Sequence, residues 1–283
     1  MAGESSLAAA TRPHATPLVH TRGVRHEHPY LAGPYPRAFA HRGWHVGDLR
    51  GMENSLSAFR RAAAEGYRYI ETDVRATSDG VVVVHHDDVL DRTTDRTGPV
   101  AAQPWSVVGA ANVGGREPIA RLDSVLEELP DTLLNIDVKA DDAVEPVVAL
   151  LERTNAWRRV CLGSFSDRRL ARLRRHAGGR AVTSMGPRTV AALWTAGRLP
   201  WLRTQRFVRG HMAQVPARHR RLQVVDRRFV EVAHRHGIEV HVWTVDAEWQ
   251  MRSLLDLQVD GVVTDRPDLL REVLRQRGVW PQG

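Results

Sequence analysis

Residues 69–74 read YIETDV and residues 133–139 read LLNIDVK, and these two stretches decide the fold. Each is a short apolar run whose carboxyl end carries polar residues at every second position, a pattern typical of a strand. Successive side chains of a strand point to opposite faces, so Glu71 and Asp73 share one face. The second stretch has the same alternation. We therefore expect both strands to bring acidic side chains to one end of a sheet.

Similar apolar runs alternate with amphipathic stretches along the chain from Arg37 onward. Strands are predicted at 39–40 (running into His41), 69–74, 133–139, 160–164, 181–183, 212–215, 239–244 and 261–264, with an accessory strand at 81–84. Helices are predicted at about 55–65, 143–154, 167–176, 187–196, 226–236, 247–257 and 267–277. Strand–helix alternation of this kind indicates parallel strands, in either an open sheet or a closed barrel.

The positions of the polar residues favour the barrel. Many of them fall near the carboxyl ends of predicted strands, namely His41, Arg42, Glu71, Asp73, Asp137, Lys139, Ser164, Gln214, Trp243 and Asp265. A barrel gathers all of its strand ends around one mouth, where active sites of this fold are built. An open sheet would bring fewer of these residues together, so the expected fold is α/β, a (β/α)₈ barrel.

The chain of 283 residues suits one such domain, preceded by an extension. Residues 1–36 hold five of the 15 prolines and little apolar periodicity, which indicates a flexible or loosely docked segment. The barrel is assigned to residues 37–283. Four histidines of the extension have irregular spacing and form only a weak metal motif: His14, His20, His26 and His28.

Composition limits the cellular context. The first residues lack the charged start and apolar run of a secretory signal, and no apolar stretch approaches the roughly 18 residues of a spanning helix. The single cysteine, Cys161, excludes an internal disulfide and fits a reducing compartment. A cytoplasmic location is therefore expected, with export by another route left open.

Positive charge is concentrated in one part of the chain. The formal net charge is +7, yet residues 168–225 contain 14 arginines and no Asp or Glu. Such a block suits an anionic membrane or a nucleic acid, or it reflects arginine-rich helix faces in a biased composition. No nucleic-acid motif accompanies it, so no nucleic-acid partner is expected, while a peripheral contact with an anionic membrane stays open.

Lys139 is the only lysine among 40 basic side chains. A lysine retained in an arginine background suggests a site that needs a compact ammonium group. On a strand, Asp137 and Lys139 share a face, so an anion such as phosphate would suit the space between a bound cation and this ammonium. The alternative is an ordinary surface pair of Asp137 and Lys139.

The carboxylates of Glu71 and Asp73 suggest a hard divalent cation. Two acidic side chains on one face repel each other unless a positive group lies between them, and oxygen ligands are those that Ca²⁺ and Mg²⁺ prefer. Asp137 could supply a third oxygen from the next main strand. The alternative is an acidic strand end neutralised by Arg75 or Arg68.

Two histidines are candidates for general acid and base, because imidazole titrates near neutral pH. His41 follows the first predicted strand, and His86 follows the apolar run at 81–84. His85 competes with His86, since only one of two neighbouring strand residues can face the mouth. Asp87 either orients His86 or caps the loop that follows.

Several separated motifs resemble the glycerophosphodiester phosphodiesterase family over about residues 37–277. The matching stretches are Ala40-His41-Arg42-Gly43, Glu53-Asn54, Glu71-Thr72-Asp73-Val74, Asp79-Gly80, His86-Asp87, Leu90-Asp91-Arg92-Thr93-Thr94, Gly98, residues 241–245 and residues 260–267. The resemblance implies a (β/α)₈ barrel with a small insertion after the second strand, here at about 86–120.

The same resemblance implies a set of roles for the site. It implies a Ca²⁺ or Mg²⁺ ion held by Glu71 and Asp73 with a third ligand at Asp137, and His41 and His86 as acid and base. Arg42 and Lys139 would hold phosphate oxygens, Glu53 would shape the metal and glycerol side, and Trp243, with Trp44, would form apolar walls. The implied reaction converts a small glycerophosphodiester to glycerol 3-phosphate and an alcohol through a cyclic phosphate.

One position departs from the family pattern. Glutamate is common where this chain has Asp137, and the shorter side chain withdraws the carboxylate by roughly a bond length, against metal–oxygen distances of about 2.3–2.6 Å for Ca²⁺. Two other functions stay open. One is a lysophospholipase D-like hydrolysis of lipid phosphodiesters at membranes, and the other is a barrel that binds a phosphodiester without catalysis.

Overall fold

Eight parallel strands form the centre of the molecule. The structure is a computed structural model and describes residues 28–199, 201 and 207–280. The strands of the described residues are β1 (Arg37–His41), β2 (Tyr69–Ala76), β3 (Val82–Val84), β4 (Asn112–Val113), β5 (Glu117–Pro118), β6 (Leu133–Val138), β7 (Val160–Gly163), β8 (Val182–Thr183), β9 (Met212–Pro216), β10 (Arg218–His219), β11 (Leu222–Gln223), β12 (Glu239–Trp243) and β13 (Gly261–Thr264). The helices are α1 (Leu56–Ala64), α2 (Trp105–Val108), α3 (Leu122–Glu128), α4 (Val144–Thr154), α5 (Asp167–Ala177), α6 (Pro187–Arg198), α7 (Arg227–Arg235), α8 (Glu248–Asp256) and α9 (Pro267–Gln276).

The parallel strands are arranged as a nearly closed barrel, which confirms the predicted fold class. Their spatial order is β8-β7-β6-β2-β1-β13-β12-β9. A single bridge between Ser184 and Met212 joins the two end strands, β8 and β9. The accessory strand predicted at 81–84 is β3, and it pairs antiparallel with β2 outside this order.

The helices cover the barrel with amphipathic faces. In α7, for example, Phe229, Val230 and Val232 are buried, while Arg227 and Arg228 are exposed. A polar side chain caps the first turn of several helices at the mouth, because the free backbone N–H groups there need an acceptor. Ser55, Ser166 and Asp226 play this part for α1, α5 and α7.

Strand register determines which side chains meet inside the barrel. Phe39 pairs with Tyr69 and Tyr69 with Leu133, so an apolar layer lies toward the amino ends of the strands. Below it, the fully buried Arg37 pairs with Glu239 at 2.7 Å. Side chains two and four residues farther along each strand therefore point into the mouth.

Residues 28–36 pack against the amino ends of the strands. A 3₁₀ helix spans Pro29–Ala32, and Tyr30 and Leu31 are buried. The Tyr35 hydroxyl donates to Glu239, and His28 Nε2 lies 3.1 Å from the Arg180 carbonyl oxygen. Residues 1–27 of the predicted extension, with His14, His20 and His26, lie outside the described residues.

The insertion after the second barrel strand has a small core of its own. Leu90, Val100, Val108 and Ile119 are buried there, together with Met52 from the loop that precedes α1. This core fixes the segment that leads away from His86.

In the part of the chain that the structure describes, no helix is both long enough and apolar enough to cross a bilayer. Cys161 is buried within the barrel as a free thiol. The cytoplasmic location stays a prediction.

Candidate active site

A cavity of about 640 Å³ opens at the carboxyl ends of the barrel strands. Its polar end collects eight of the nine residues predicted for the site. They are His41, Arg42, Glu71, Asp73, His86, Asp137, Lys139 and Trp243. Glu53, the ninth, lies behind this wall and does not line the cavity.

Register brings the three carboxylates together. Glu71 and Asp73 point the same way from β2, and Asp73 is directly paired with Asp137 on β6. Glu71 is in turn paired with His41 on β1. Neighbouring strands lie about 4.8 Å apart, so these side chains share one small volume.

Lys139 lies between two of the carboxylates. Its Nζ is 2.8 Å from Asp73 Oδ1 and 2.7 Å from Asp137 Oδ2. Burial opposes ionisation of Asp73, but the charges of Lys139 and Arg42 outweigh it and lower the pKa of this carboxyl group. Burial raises the pKa of Asp137, while Lys139 opposes that shift.

Glu71 is the least compensated acid of the group. Burial first, and then repulsion from Asp73, raise its pKa to about 8. Its Oε2 atom receives no hydrogen bond, and the nearest basic nitrogen is His41 Nε2 at 3.5 Å. Asp137 Oδ1 is likewise buried without a partner.

These orphaned oxygens fit the implied divalent cation. Buried carboxylate oxygens without partners are costly, and a hard cation is a ligand that would satisfy both. Among the described residues, no three acidic, imidazole or thiol groups are already arranged as a complete metal site. The ammonium group of Lys139 lies between Asp73 and Asp137 and forms an ion pair with each.

His41 is held from both sides. Its Nδ1 is 2.6 Å from Asp265 Oδ1, and its Nε2 is turned toward Glu71. Burial acts to lower the pKa of His41, but Glu71 and Asp265 outweigh burial and raise it. His45 Nε2 also contacts Asp265, at 3.2 Å.

The two neighbouring histidines after β3 have opposite surroundings. His86 lines the cavity, and its Nδ1 is 2.6 Å from Asp87 Oδ1. His85 is buried, and its Nε2 is 2.9 Å from the Val89 carbonyl oxygen. Burial lowers the pKa of His85. His86 is thus the member of the pair that can meet a ligand.

Left-handed backbone shapes the turn after β1. Arg42 has φ 56° and Gly43 has φ 87°, and a Cβ at Gly43 would come within 2.8–2.9 Å of Phe59 and Ala58. This tight turn directs the Arg42 guanidinium back over β2. There its Nε lies 3.1 Å from Asp73 Oδ2.

A chain of ion pairs links the histidine of the insertion to the first strand. Arg92 Nε donates to Asp87 at 2.6 Å, and Arg92 Nη2 donates to Glu53 at 2.8 Å. Glu53 accepts from Arg42 Nη1 at 2.7 Å. Glu53 therefore supports Arg42 from behind, and its predicted role toward glycerol stays a prediction.

The two tryptophans predicted to form walls of the site, Trp243 and Trp44, differ in position. Trp243 lines the cavity beside Phe165, with ring centroids 5.4 Å apart. Trp44 is buried against Tyr67, with ring centroids 6.2 Å apart, under the Arg271 guanidinium. The expected wall at Trp44 is therefore wrong, because the turn at Gly43 directs this ring into the core.

Asp265 and Arg92 belong to the site, although no role was predicted for either. Arg92 lies in a motif of the family resemblance, and Asp265 ends the last barrel strand. In a closed barrel that strand adjoins the first, so the position of Asp265 was the available signal. Its partner His41 is 224 residues away in sequence.

Two groups of arginines in the arginine-rich block, residues 168–225, differ in their surroundings. Arg168, Arg169, Arg172 and Arg180 form ion pairs with acids on other elements. Arg218, Arg220 and Arg221, on the turn of β10 and β11, are exposed and make no ion pair among the described residues. Part of the block is thus held in ion pairs on helix faces, and the three exposed arginines of the β10–β11 turn lie beside His219 and Leu222, which line the cavity.

Comparison with known proteins identifies the family. Residues 22–269 match the model of the glycerophosphoryl diester phosphodiesterase family. The chain is 43% identical over 248 residues to a Mycobacterium tuberculosis protein named probable glycerophosphodiester phosphodiesterase 2, covering 86% of this chain and 92% of the relative. The chain therefore belongs to the glycerophosphoryl diester phosphodiesterase family and is an enzyme, a phosphoric diester hydrolase.

Solved structures agree with this assignment. The glycerophosphodiester phosphodiesterase of Agrobacterium tumefaciens is 28% identical, with a TM-score of 0.68 over 84% of this chain and 99% of its own. An Oleispira antarctica phosphodiesterase, whose structure is in complex with the product sn-glycerol-3-phosphate, shares the fold at 20% identity. Its TM-score is 0.71, over 85% of this chain and 97% of its own.

Proposed function

We propose that this enzyme hydrolyses glycerophosphodiesters to glycerol 3-phosphate and an alcohol, with His41 and His86 as acid and base. The observation that carries the proposal is the pair of imidazoles at one cavity, each with Nδ1 2.6 Å from an aspartate oxygen. An aspartate on Nδ1 leaves Nε2 as the nitrogen that exchanges protons with a ligand. Binding alone would need no such pair.

Acid–base chemistry follows from this arrangement. One imidazole takes the proton of a glycerol hydroxyl as that oxygen bonds to phosphorus, and the other imidazole gives its proton to the departing alcohol as the P–O bond breaks. A cyclic glycerol phosphate results. Water then opens the ring with the two histidines in exchanged roles and yields glycerol 3-phosphate.

The surrounding charges serve the phosphate. Arg42 and Lys139 would bind its non-bridging oxygens, since both of these positively charged side chains line the cavity. Glu71, Asp73 and Asp137 would hold a divalent cation, Ca²⁺ or Mg²⁺, which would offset most of the negative charge of the three acids and polarise the phosphoryl group. In this proposal Lys139 leaves the two aspartates when the cation binds and turns to the phosphate.

Turnover of glycerophosphocholine with added Ca²⁺ or Mg²⁺ tests the proposal. We expect His41→Ala and His86→Ala each to lower kcat by about 10²–10⁴-fold, the usual contribution of a general acid or base. His85→Gln is the matched control, because Gln can still donate to Val89 and His85 faces away from the cavity. Wild-type turnover in both alanine variants would refute the roles.

A second candidate function is hydrolysis of lipid phosphodiesters at a membrane, and the unpaired arginines of the β10–β11 turn favour it. Vesicles of phosphatidylcholine with and without phosphatidylglycerol provide the test. The triple variant Arg218→Gln, Arg220→Gln, Arg221→Gln should lose co-sedimentation with the anionic vesicles. A shortened protein, made to test whether the N-terminal extension contributes to vesicle binding, should begin at residue 28, because Tyr30 and Leu31 are part of the core. Equal binding by wild type and variant would argue against this contact.

A further inference from the structure

Arg92, in the insertion after the second barrel strand, holds two carboxylates at once. Its Nε donates to Asp87 Oδ2 at 2.6 Å, and its Nη2 donates to Asp87 Oδ1 at 3.1 Å. Its Nη1 and Nη2 donate to the two carboxylate oxygens of Glu53, at 3.1 and 2.8 Å. Two-point contacts of this kind fix the orientation of a guanidinium relative to a carboxylate, which a single ammonium contact does not do. Arg92 therefore joins Asp87 and Glu53 in a defined geometry.

Each of these carboxylates also holds a side chain that lines the cavity. Asp87 Oδ1 lies 2.6 Å from His86 Nδ1. Glu53 Oε1 accepts from Arg42 Nη1 at 2.7 Å. Asp87, Glu53 and Arg92 do not line the cavity themselves. One carboxylate thus separates Arg92 from a proposed acid–base residue, and another separates it from a proposed phosphate ligand.

The charge of Arg92 bears on the charge that Arg42 can offer a phosphate. Arg42 contacts two acids, because its Nε lies 3.1 Å from Asp73 Oδ2 while its Nη1 donates to Glu53. Burial acts to raise the pKa of Glu53, but Arg92 and Arg42 outweigh burial and lower this pKa. With Arg92 in place, two guanidinium groups share the negative charge of Glu53. Without Arg92, Glu53 would place its whole charge on Arg42 and weaken the attraction of Arg42 for a phosphate.

The ring of His86 depends on the same arginine through Asp87. Hydrogen bonds from Arg92 are the largest of the effects that lower the pKa of Asp87, so Asp87 stays an anion that accepts the Nδ1 proton of His86. Arg75 also contacts His86, but its Nε donates to the His86 carbonyl oxygen at 3.0 Å. Arg75 therefore holds the backbone of this residue, while the pair of Asp87 and Arg92 holds the ring.

We propose that Arg92 is a positioning residue, which sets the imidazole of His86 and the guanidinium of Arg42 in the relative orientation that the reaction needs. This proposal rests on the proposed roles of those two residues in the hydrolysis. The Arg92 side chain is 49% exposed, so its ion pairs contribute little to the stability of the fold. Loss of Arg92 should therefore affect the site more than the fold.

Steady-state kinetics of Arg92→Met with glycerophosphocholine test this role. We expect kcat/KM to fall by about 10–100-fold, the range found for partners that orient the ligands of metal sites. The loss should divide between a lower kcat, through His86, and a higher KM, through Arg42. Arg92→Lys keeps the charge without the two-point contacts, so it should restore KM more fully than kcat. Wild-type kinetics in Arg92→Met would overturn the proposal.

Arg116→Met is the matched control, because Arg116 also ties the insertion to the loop before α1. Its Nη1 and Nη2 donate to the carbonyl oxygens of Asp48 and Arg50, at 2.8 and 3.0 Å, and it does not line the cavity. Loss of Arg116 should lower the melting temperature and leave kcat and KM near the wild-type values. If the two variants changed kcat and KM alike, Arg92 would only hold the insertion in place, and the positioning role would be wrong.

Double variants show whether Arg92 acts through its two carboxylates. In a Glu53→Gln background, Arg92→Met should raise KM much less than it does in the wild type. In an Asp87→Asn background, it should lower kcat much less. Non-additive effects of this kind are expected of groups in one network of ion pairs. Additive effects in both backgrounds would contradict the proposal.

Two measurements without turnover separate this proposal from the proposed hydrolysis. The dissociation constant of inorganic phosphate, measured by calorimetry, should rise about tenfold in Arg92→Met, as for the loss of one charge-assisted hydrogen bond. NMR of the ring nitrogens of His86 should show a changed ratio of tautomers in the same variant. If both changes occur in a protein that hydrolyses no glycerophosphodiester, the positioning role stands and the hydrolysis fails. If glycerophosphocholine is hydrolysed and neither measurement changes, the positioning role fails and the hydrolysis stands.

Discussion

Asp265 connects the last barrel strand to the histidine of the first. Its Oδ1 accepts hydrogen bonds from both His41 and His45. Burial acts to raise the pKa of Asp265, but the two imidazoles outweigh burial and lower this pKa. Asp265 therefore stays ionised over the working range of pH and fixes which nitrogen of His41 faces the cavity. It acts through His41 and does not line the cavity, so we regard it as a positioning residue.

Asp265→Asn should lower kcat and leave KM nearly unchanged. An amide can present its donor to Nδ1 and stabilise the wrong tautomer, which would cost up to the about 10²–10⁴-fold contribution of the histidine itself. NMR of the ring nitrogens of His41 should report the changed tautomer. His45→Gln is the control, because His45 shares the same carboxylate but does not line the cavity. Unchanged kcat in Asp265→Asn would reject the positioning role.

Through Glu71, binding of the proposed divalent cation should affect the stability of the fold as well as the activity. Since burial and Asp73 disfavour its charge, Glu71→Gln should raise the melting temperature in a chelating buffer at pH 8, by about 2–4 °C for each kcal/mol of relieved repulsion. The same variant should lose most of the rise in melting temperature that Ca²⁺ or Mg²⁺ gives the wild type.

Glu231→Gln, at an exposed position on α7, should behave as the wild type in both buffers. A full cation-induced rise in Glu71→Gln would mean that the ion is held elsewhere.

The turn between β1 and α1 is the element on which the site depends most. Gly43→Ala would combine a positive φ with a Cβ less than 3 Å from Phe59 and Ala58. We expect a loss of about 2–4 kcal/mol in the free energy of unfolding, from backbone strain and overpacking together.

Gly80→Ala isolates the backbone contribution, because Gly80 has φ 81° and no atom within 4 Å of an added Cβ. It should cost only about 1 kcal/mol. Chemical denaturation of both variants measures the difference. Equal losses would show that the contact with α1 is unimportant.

Element positions were largely predictable, because apolar runs and 3.6-residue periods mark strands and helices that pack in the usual way. The fragment YIETDV, with its alternating acids, became β2 and delivered both acids to the mouth. The strand predicted at residues 181–183 became β8, Val182–Thr183, but its single bridge to β9 could not be read from the sequence. The insertion's α2 and its small core escaped detection because its apolar residues follow no regular period.

Contacts within the site were harder to predict from the sequence than the positions of the strands and helices were. The pairing of His41 with Asp265 depends on closure of the barrel over 224 residues, and the bridge from Arg92 to Glu53 depends on how the insertion folds back. Trp44 shows the opposite error. Its neighbours in sequence belong to the site, but the turn geometry sends its ring into the core.

At the scale of the whole molecule, a buried ion pair below the site links pH to stability. Arg37 and the acceptor of its hydrogen bonds, Glu239, lie inside the barrel, and Tyr35, Tyr69 and His241 complete the cluster. Burial acts to raise the pKa of Glu239, but Arg37 and His241 outweigh burial and lower this pKa. Because the folded pKa is below the ordinary value of 4.5, this stabilisation is present at neutral pH and is lost as the pH falls through and below 4.5.

Arg37→Met should lower the free energy of unfolding by about 3–5 kcal/mol at pH 7, because it removes the guanidinium and leaves buried Glu239 with only His241 and the Tyr35 hydroxyl. The variant should regain stability on mild acidification, when Glu239 takes up a proton, whereas the wild type should not. Arg227→Met, at a side chain that is 85% exposed, should change stability by less than about 1 kcal/mol. Denaturation curves between pH 5 and pH 8 would contradict the assignment if Arg37→Met and the wild type lost stability in parallel.

Because Lys139 is the single lysine of the chain, its surroundings determine how amine-reactive reagents and lysine-specific proteases act on the protein. Burial acts to lower the pKa of Lys139, but Asp73 and Asp137 outweigh it and raise the pKa, so the ammonium is a poor nucleophile toward acylating reagents. Amine-reactive dyes should therefore couple at the terminal amine and react only slowly with Lys139 in the folded protein. A lysine-specific protease has a single cleavage site in the chain, inside the folded mouth, so its action reports unfolding of the barrel directly.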